Sequence, residues 1–101
     1  MSKKNKEKES FKPRFSLGSV VWTPGSMRAF AENKQSPIEF LERHVQGDWG
    51  ELCDEDIAEN EFSIKNDLRV LSAYFLKDGT KILVITEADR SATTVLLPEE
   101  Y

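Results

Sequence analysis

The stretch LRVLSAYFLKDGTKILVITE, residues 68–87, decides the fold of this chain. Two runs rich in β-branched, aromatic and other apolar residues flank Asp78 and Gly79, and such runs favour β-strands. An Asp-Gly pair is preferred in a two-residue hairpin turn because both turn positions tolerate positive φ. We therefore predict an antiparallel hairpin in which Phe75 lies opposite Ile82.

This register places apolar side chains at the centre of both faces of the hairpin. Because side chains alternate across a strand, one face takes Leu71, Ala73, Phe75, Ile82 and Val84, and the other takes Val70, Tyr74, Leu76, Leu83 and Ile85. At least part of the hairpin is therefore expected to be covered on both sides. We expect helices on one side, and a dimer partner or the N-terminal segments on the other.

Three short helices are predicted upstream of the hairpin. Thr23 and Ser36 each precede a proline, which is a typical helix start, and Ser36 with Glu39 fits a capping box. The first helix is expected over residues 24–33. The third begins at residues 54–56, whose carboxylates favour the positive end of a helix dipole.

Further strands are predicted near both ends of the chain. Residues 16–22 suit a short strand, and ATTVLL at residues 92–97 makes a third strand of the meander that ends at Pro98. The sequence therefore predicts the α+β class, with a short N-terminal strand, three short helices and then a three-stranded antiparallel meander.

Length and charge predict one domain with a basic tail. The 101 residues suffice for a single modest core. Residues 1–14 hold six bases and two acids, a net charge of +4, which leaves eight bases and sixteen acids, a net charge of −8, on residues 15–101. We expect the tail to be disordered and residues 15–101 to fold. The acidic body disfavours binding to duplex phosphate except through the tail.

Several classes of protein are excluded by what the sequence lacks. Its single cysteine, Cys53, cannot form an internal disulfide or build a cysteine-rich zinc site. There is no apolar run of about 20 residues, no phosphate-binding loop, no dinucleotide fingerprint, no GxSxG and no HExxH. We expect a cytoplasmic location, no membrane association, no cofactor and no metal.

The densest group of unusual polar residues is RHVQGDWG, residues 43–50. His44 is the one side chain that ordinarily titrates near neutrality, and Asp48 follows a helix-ending glycine from which it could orient the imidazole. Trp49 between two glycines suits exposure for stacking on a base or partner. The alternative interpretation is that His44 caps its helix and Trp49 fills the core.

Two further polar clusters are candidates for ligand or partner binding. Asp56 and Asn60 are four residues apart on the predicted third helix and share a face. Glu87, Asp89 and Arg90 lie on the turn after the second hairpin strand, where Arg90 suits bidentate contact with phosphate or carboxylate. In the alternative interpretation, Asp89 shapes the turn and Arg90 pairs with Glu87.

Three motifs resemble those of small plasmid-related bacterial proteins, carried on plasmids and integrated mobile elements. They are VVWTPGSM, SPIEFLERHVQGDWGEL and RVLSAYFLKDGTKILVITEADRSATTVLLPEEY, with TPG, RHxxGDWG and TEADRSxTTVLLPEEY as the marker patterns. The resemblance covers residues 15–101. It implies a bacterial source and an accessory role for a mobile element, and it brings no established activity.

Three functions are compatible with these observations. The leading hypothesis is a non-enzymatic module that binds another macromolecule, most naturally a protein, with a homodimer through the hairpin as one arrangement. One alternative is a small hydrolase or nuclease that uses His44 and Asp48, with Glu87 and Arg90 around the substrate. The other alternative is an acidic inhibitor of a host nucleic-acid-binding defence protein, since residues 48–61 hold seven acids and no base.

Overall fold

A computed structural model describes residues 13–101, which form a mixed four-stranded sheet and three α-helices. The elements are β1 (Ser19–Trp22), α1 (Pro24–Asn33), α2 (Pro37–Gln46), α3 (Asp54–Asn66), β2 (Val70–Phe75), β3 (Lys81–Thr86), β4 (Ala92–Leu96) and a 3₁₀ helix (Pro98–Glu100). The strand order is β1-β4-β3-β2. The α+β class is confirmed. Of the predicted tail, residues 1–12 lie outside the described part of the chain.

The predicted three-stranded meander is wrong in one respect, because β1 joins it as a fourth strand. β1 runs parallel to β4, with the Ser19 N–H donating to the Ser91 carbonyl at 3.0 Å and the Thr23 N–H to the Val95 carbonyl at 3.0 Å. Gly18 makes the approach feasible, since its φ is +66° and a Cβ there would lie 2.4 Å from the Ser91 backbone. Sequence pattern predicted the strand but not its partner.

The predicted hairpin register is wrong by one residue. Tyr74, not Phe75, lies opposite Ile82. The loop has one residue more than the predicted turn, because the Leu76 N–H donates to the Thr80 carbonyl at 2.9 Å and Gly79 takes φ +90°. A three-residue loop closed by a left-handed glycine is the next most common hairpin connection. A shift of one residue exchanges the two faces of one strand.

The corrected register separates a buried face of the hairpin from a mixed one. Val70, Ser72, Tyr74, Leu76, Ile82, Val84 and Thr86 share the face toward the helices, and all are buried. Phe30 of α1 and Phe40 of α2 pack on this face, with ring centroids 5.8 Å apart. The opposite face is only partly covered, since Phe75 is 50% exposed. Helices therefore cover one side, as expected.

The helix ends follow the sequence signals with one exception. Thr23 caps α1 by accepting from the Ser26 N–H at 3.2 Å. At α2 the Ser36 hydroxyl accepts from the Ile38 N–H at 3.1 Å rather than from the predicted Glu39 N–H.

None of the helices within residues 13–101 is long and apolar enough to cross a membrane.

Candidate functional site

His44 lies at the centre of a buried chain of hydrogen bonds. Its side chain is fully buried, Nδ1 contacts the Ser72 hydroxyl, and Nε2 lies 2.9 Å from the Thr86 hydroxyl. The Thr86 hydroxyl lies 2.7 Å from that of Thr93, which donates to the Leu17 carbonyl at 2.7 Å. The chain therefore joins α2, three strands of the sheet and the segment that leads into β1.

The direction of every proton in this chain follows from its last member. A carbonyl only accepts, so Thr93 donates to Leu17, and its single proton is then used. Thr86 must therefore donate to Thr93 and accept from His44 Nε2–H. Because burial lowers the pKa of His44 to about 3 and keeps the imidazole neutral, Nδ1 is the lone-pair nitrogen and accepts from Ser72. His44 is thus the neutral Nε2–H tautomer, with both ring nitrogens hydrogen-bonded.

The surroundings of His44 keep it neutral. Burial away from water, with a smaller contribution from the Arg90 charge, lowers the pKa of His44 from its ordinary value to about 3. A general base needs a free lone pair within reach of its substrate. The buried and fully bonded ring of His44 offers none.

Asp48 does not join His44. Its carboxylate accepts from Arg43 Nε at 2.7 Å and from Arg43 Nη2 at 3.3 Å, and the Gly50 N–H donates to it at 3.2 Å. The Arg43 hydrogen bonds lower the pKa of the Asp48 carboxyl. Asp48 thus forms a local ion pair at the end of α2. This arrangement does not favour the hydrolase alternative.

Trp49 packs inside the molecule and belongs to an aromatic cluster around His44. It is buried, its ring stacks on Phe15 at 6.2 Å between centroids, and it meets the His44 ring edge-on at 5.9 Å. Its Nε1–H donates to Glu61 at 3.2 Å. Trp49 therefore fills the core, which is the alternative that the sequence left open, and it presents no exposed ring.

Arg14 ties the start of the described chain to the helices. Its guanidinium donates twice to Glu61, at 2.6 and 3.0 Å, and its backbone N–H donates to the Val45 carbonyl at 2.7 Å. Hydrogen bonds from Arg14 are the main reason that the pKa of Glu61 is lowered to about 2. Arg14 belongs to the predicted tail, and no pattern in the sequence indicates its partner.

Arg90 directs its guanidinium at backbone carbonyls. It donates to the carbonyls of Leu68, Glu87, Ala88 and Ser63 at 2.7, 3.1, 3.0 and 3.2 Å. The Asp89 carboxylate accepts from the Ser91 N–H at 2.9 Å and shapes the turn. Arg90 thus connects the β3–β4 turn to the end of α3 and contacts the backbone of Glu87 rather than its carboxylate.

Asn60 closes the outer edge of β2. Its amide nitrogen donates to the Leu71 carbonyl at 2.6 Å, and its amide oxygen accepts from the Leu71 N–H at 3.1 Å. Next along this edge, the Ala73 N–H donates to the Trp49 carbonyl at 3.2 Å, and the Glu51 N–H donates to the Ala73 carbonyl at 2.7 Å. The backbone groups that face outward from β2 at Leu71 and Ala73 are therefore paired.

Asp56 lies beside Asn60 on the rim of a small cleft of about 170 Å³. The cleft is lined by Leu52, Asp56, Glu59, Asn60, Arg69 and Leu71. Within residues 13–101, no group of three or more His, Cys, Asp or Glu side chains is arranged to hold a metal ion. Asn60 and Asp56 are thus brought together on α3, but the Asn60 amide is committed to the sheet.

The opposite edge of the sheet, along β1, is open in the part of the chain that the structure describes, and no prediction from the sequence included it. β4 is the one neighbour of β1 within the described residues. Ser19 and Thr23 donate to β4, so alternate residues turn toward it, and the N–H and C=O groups of Val20 and Trp22 point away from the sheet. Val21 is 51% exposed on the face away from the helices.

Apolar side chains surround this open edge. Trp22, Met27, Phe30 and Pro37 line a cavity of about 190 Å³, and Trp22, Met27 and Ile38 are exposed. Natural edge strands are usually protected by lysine, proline or a bulge. Residues 19–22, SVVW, contain none of these. The only signal in the sequence was this uncharged apolar strand, which fits an interior position equally well.

Within the described residues, the fold and site together define a small α+β domain whose sheet is paired outward at Leu71 and Ala73 of β2 and is open along β1. Comparison of the chain with protein-family models, with curated protein sequences and with solved structures finds no match. The resemblance to plasmid-related bacterial proteins therefore stays a prediction.

Proposed function

We propose that this chain is a non-enzymatic protein-binding module whose docking surface is the open edge of β1. We call this docking surface the β1 edge, and it consists of the outward backbone groups of Val20 and Trp22 with the exposed side chains of Val21, Met27 and Ile38. The observation that carries the proposal is the contrast between the two sheet edges. An accessory role for a bacterial mobile element belongs to the same proposal and rests on the resemblance.

The chemistry of the β1 edge suits an extended segment of another polypeptide. An added strand can pair with the outward N–H and C=O groups of Val20 and Trp22. Alternate side chains of that strand would meet Val21 on one face and the cavity beside Met27 on the other. Main-chain hydrogen bonds then supply affinity, and the cavity selects an apolar side chain.

The hydrolase alternative and the acidic-inhibitor alternative are both supported less well than protein binding at the β1 edge. The hydrolase alternative needs His44, Asp48 and Arg90 in one cleft, whereas each is bonded to a different set of partners. The acidic-inhibitor alternative fares better, since five acids of residues 48–61 are exposed and unpaired in the described chain: Glu51, Asp54, Glu55, Asp56 and Glu59. Solvated acidic helix faces are common without such a role, so this alternative remains secondary.

The proposal is tested by comparing two lysine substitutions at equally exposed apolar positions. Val21→Lys places a charge on the β1 edge, and Phe62→Lys places one on the outer face of α3, where Phe62 is 54% exposed. A bacterial lysate is passed over immobilised wild-type protein and each variant, and captured proteins are identified. Each candidate partner is then purified and its Kd is measured directly.

The expected result is a purified partner that binds the wild type and the Phe62→Lys variant alike and binds Val21→Lys at least about tenfold more weakly, a loss of about 1.4 kcal/mol. Circular dichroism of each variant checks that the fold is retained. Equal binding by all three proteins, or a loss confined to Phe62→Lys, contradicts the proposal.

A further inference from the structure

We infer that the β1 edge binds a second copy of this chain, with the two β1 strands antiparallel across a two-fold axis at Val21. The inference rests on the proposed function and names one occupant for the same surface. It replaces the hairpin, which the sequence suggested, as the dimer contact. The two sheets would join into one continuous sheet of eight strands.

The positions of the outward backbone groups select this register. These groups belong to Val20 and Trp22. In an antiparallel pair, alternate opposed residues exchange both of their hydrogen bonds. A two-fold axis at Val21 places Val20 of each copy opposite Trp22 of the other copy. Four hydrogen bonds then pair every outward N–H and C=O group of both strands.

Other two-fold registers use fewer of these groups. An axis at Val20 would place Trp22 opposite Gly18, which precedes β1 and has a φ of +66°. An axis at Trp22 would place Val20 opposite Pro24, which begins α1 and has no N–H. Each alternative leaves one outward residue without its hydrogen bonds, and the register centred on Val21 leaves none.

Side chains on both faces of β1 gain contacts in this arrangement. Val21, on the face away from the helices, lies opposite Val21 of the second copy. The two residues form a non-hydrogen-bonded pair, in which opposed residues lie closer together than in a hydrogen-bonded pair. Trp22, on the face toward the helices, lies beside the second copy's Val20. Such β-branched and aromatic cross-strand pairs stabilise sheets.

The distribution of charge is compatible with self-association at β1. Residues 19–22 carry no charge, so the paired strands bring no like charges into contact. The acidic α3 flanks β2, and β4 and β3 separate β2 from β1. Three strand spacings of about 4.8 Å each therefore hold the acidic surfaces of the two copies apart.

The size of the contact predicts a weak dimer. Two strand residues and a few exposed apolar side chains per copy form an interface below about 1,200 Å² in total, the range of transient complexes. We expect a Kd of about 100 μM. Residual repulsion between acidic bodies is screened by salt, so association should strengthen as ionic strength rises.

Sedimentation equilibrium of the full chain over a wide concentration range tests the inference. The wild type should approach twice the monomer mass at high concentration. Val21→Lys and Val21→Glu should each weaken association at least about tenfold, because two like charges then face each other at the axis. Phe75→Lys is the matched control, at a similarly exposed apolar position on the opposite edge strand, and should leave association unchanged.

Mixing the two Val21 variants gives the decisive measurement. In the proposed register lysine faces glutamate across the axis, so the mixture should associate more tightly than either variant alone. The inference is overturned if the wild type stays monomeric, if the mixture is no tighter than its components, or if Phe75→Lys disrupts association and the Val21 variants do not.

The outcomes separate this inference from the proposed function. If the wild type is monomeric but still binds another protein through Val21, the dimer inference is wrong and the proposed binding function is supported. If the protein forms a dimer with the expected dependence on Val21 but binds no other protein, the dimer inference is supported and the proposed function is wrong.

Discussion

His44 donates its Nε2–H to the Thr86 hydroxyl across 2.9 Å, and this contact joins α2 to β3 in the interior. The proton order that runs on through Thr93 to Leu17 predicts a single neutral tautomer. Nitrogen chemical shifts of the imidazole should show a protonated Nε2 and an unprotonated Nδ1. The ring should not titrate between about pH 5 and about pH 8. Titration near the ordinary histidine pKa, or the opposite tautomer, would remove this assignment.

Stability should depend on pH through His44. The pKa of His44 is lowered from its ordinary value of 6.5 to about 3 in the folded protein, mainly by burial. Its contribution to stability is therefore complete above pH 6.5, and it is lost as the pH falls toward 3, because the unfolded chain then binds the proton more readily. The free energy of unfolding should fall by up to about 1.4 kcal/mol per pH unit within this window.

His44→Gln provides the control for that pH dependence. Glu61 and Glu100 also have lowered pKa values, but the contributions of these carboxyl groups are lost as the pH falls toward and below their ordinary value of 4.5. Urea unfolding between pH 6.5 and about pH 5.5 therefore isolates His44. The wild type should lose stability across this interval and His44→Gln should not. Parallel curves for the two proteins would show that His44 is not the titrating group.

Thr86→Val should destabilise the protein because it removes the acceptor of His44 and the donor to Thr93 at nearly constant volume. Leaving a buried polar group unpaired costs about 1–3 kcal/mol. Thr94→Val is the control, at a half-buried position on the other face of the sheet. Urea unfolding should show a clear loss for Thr86→Val and a small change for Thr94→Val. Similar values for both would mean that the chain of hydroxyls adds little.

Local signals in the sequence predicted much of this fold. Proline after Thr23 and Ser36 and the acids at residues 54–56 indicated the helix starts, and the apolar runs around Asp78 indicated the hairpin. The register failed because Asp-Gly also fits a loop one residue longer, and only the packing of Tyr74 against the helices decides between the two.

The roles of individual candidate residues were harder to predict from the sequence than the positions of the helices and strands. His44, Asn60 and Arg90 were singled out for unusual chemistry, yet each holds together parts of the chain that are distant in sequence. Their partners are hydroxyls or backbone groups, which every sequence contains in abundance. β1 lies at the edge because of the order of the strands in the sheet. That order is set by long-range packing, which local sequence patterns do not predict.

Asn60→Asp should weaken the sealed edge of β2 while nearly preserving side-chain volume. The carboxylate still accepts from the Leu71 N–H, but the donor to the Leu71 carbonyl is lost and two oxygens then face each other. A loss of about 1–3 kcal/mol is expected. Asn66→Asp is the control, because Asn66 is exposed and makes only a local contact with Phe62. Equal effects of the two substitutions would contradict a sealing role for Asn60.

Gly50→Ala should cost considerably more stability than Gly79→Ala, although both glycines have positive φ, +76° and +90°. Alanine at either position takes on the strain of the left-handed region, about 1–2 kcal/mol. A Cβ at Gly79 would meet nothing within 4 Å, whereas one at Gly50 would lie 2.0 Å from the Ala73 carbonyl oxygen. The substitution at Gly50 must therefore also separate the bridge that pairs Ala73 with the neighbouring segment.

Hydrogen exchange locates the additional cost of Gly50→Ala. The Ala73 N–H donates to the Trp49 carbonyl at 3.2 Å, and the Glu51 N–H donates to the Ala73 carbonyl at 2.7 Å. Both amides should exchange faster in Gly50→Ala, because displacing the bridge exposes them, and should stay protected in Gly79→Ala. If the two variants unfold at the same urea concentration with the same exchange pattern, the close approach at Gly50 contributes nothing beyond its φ.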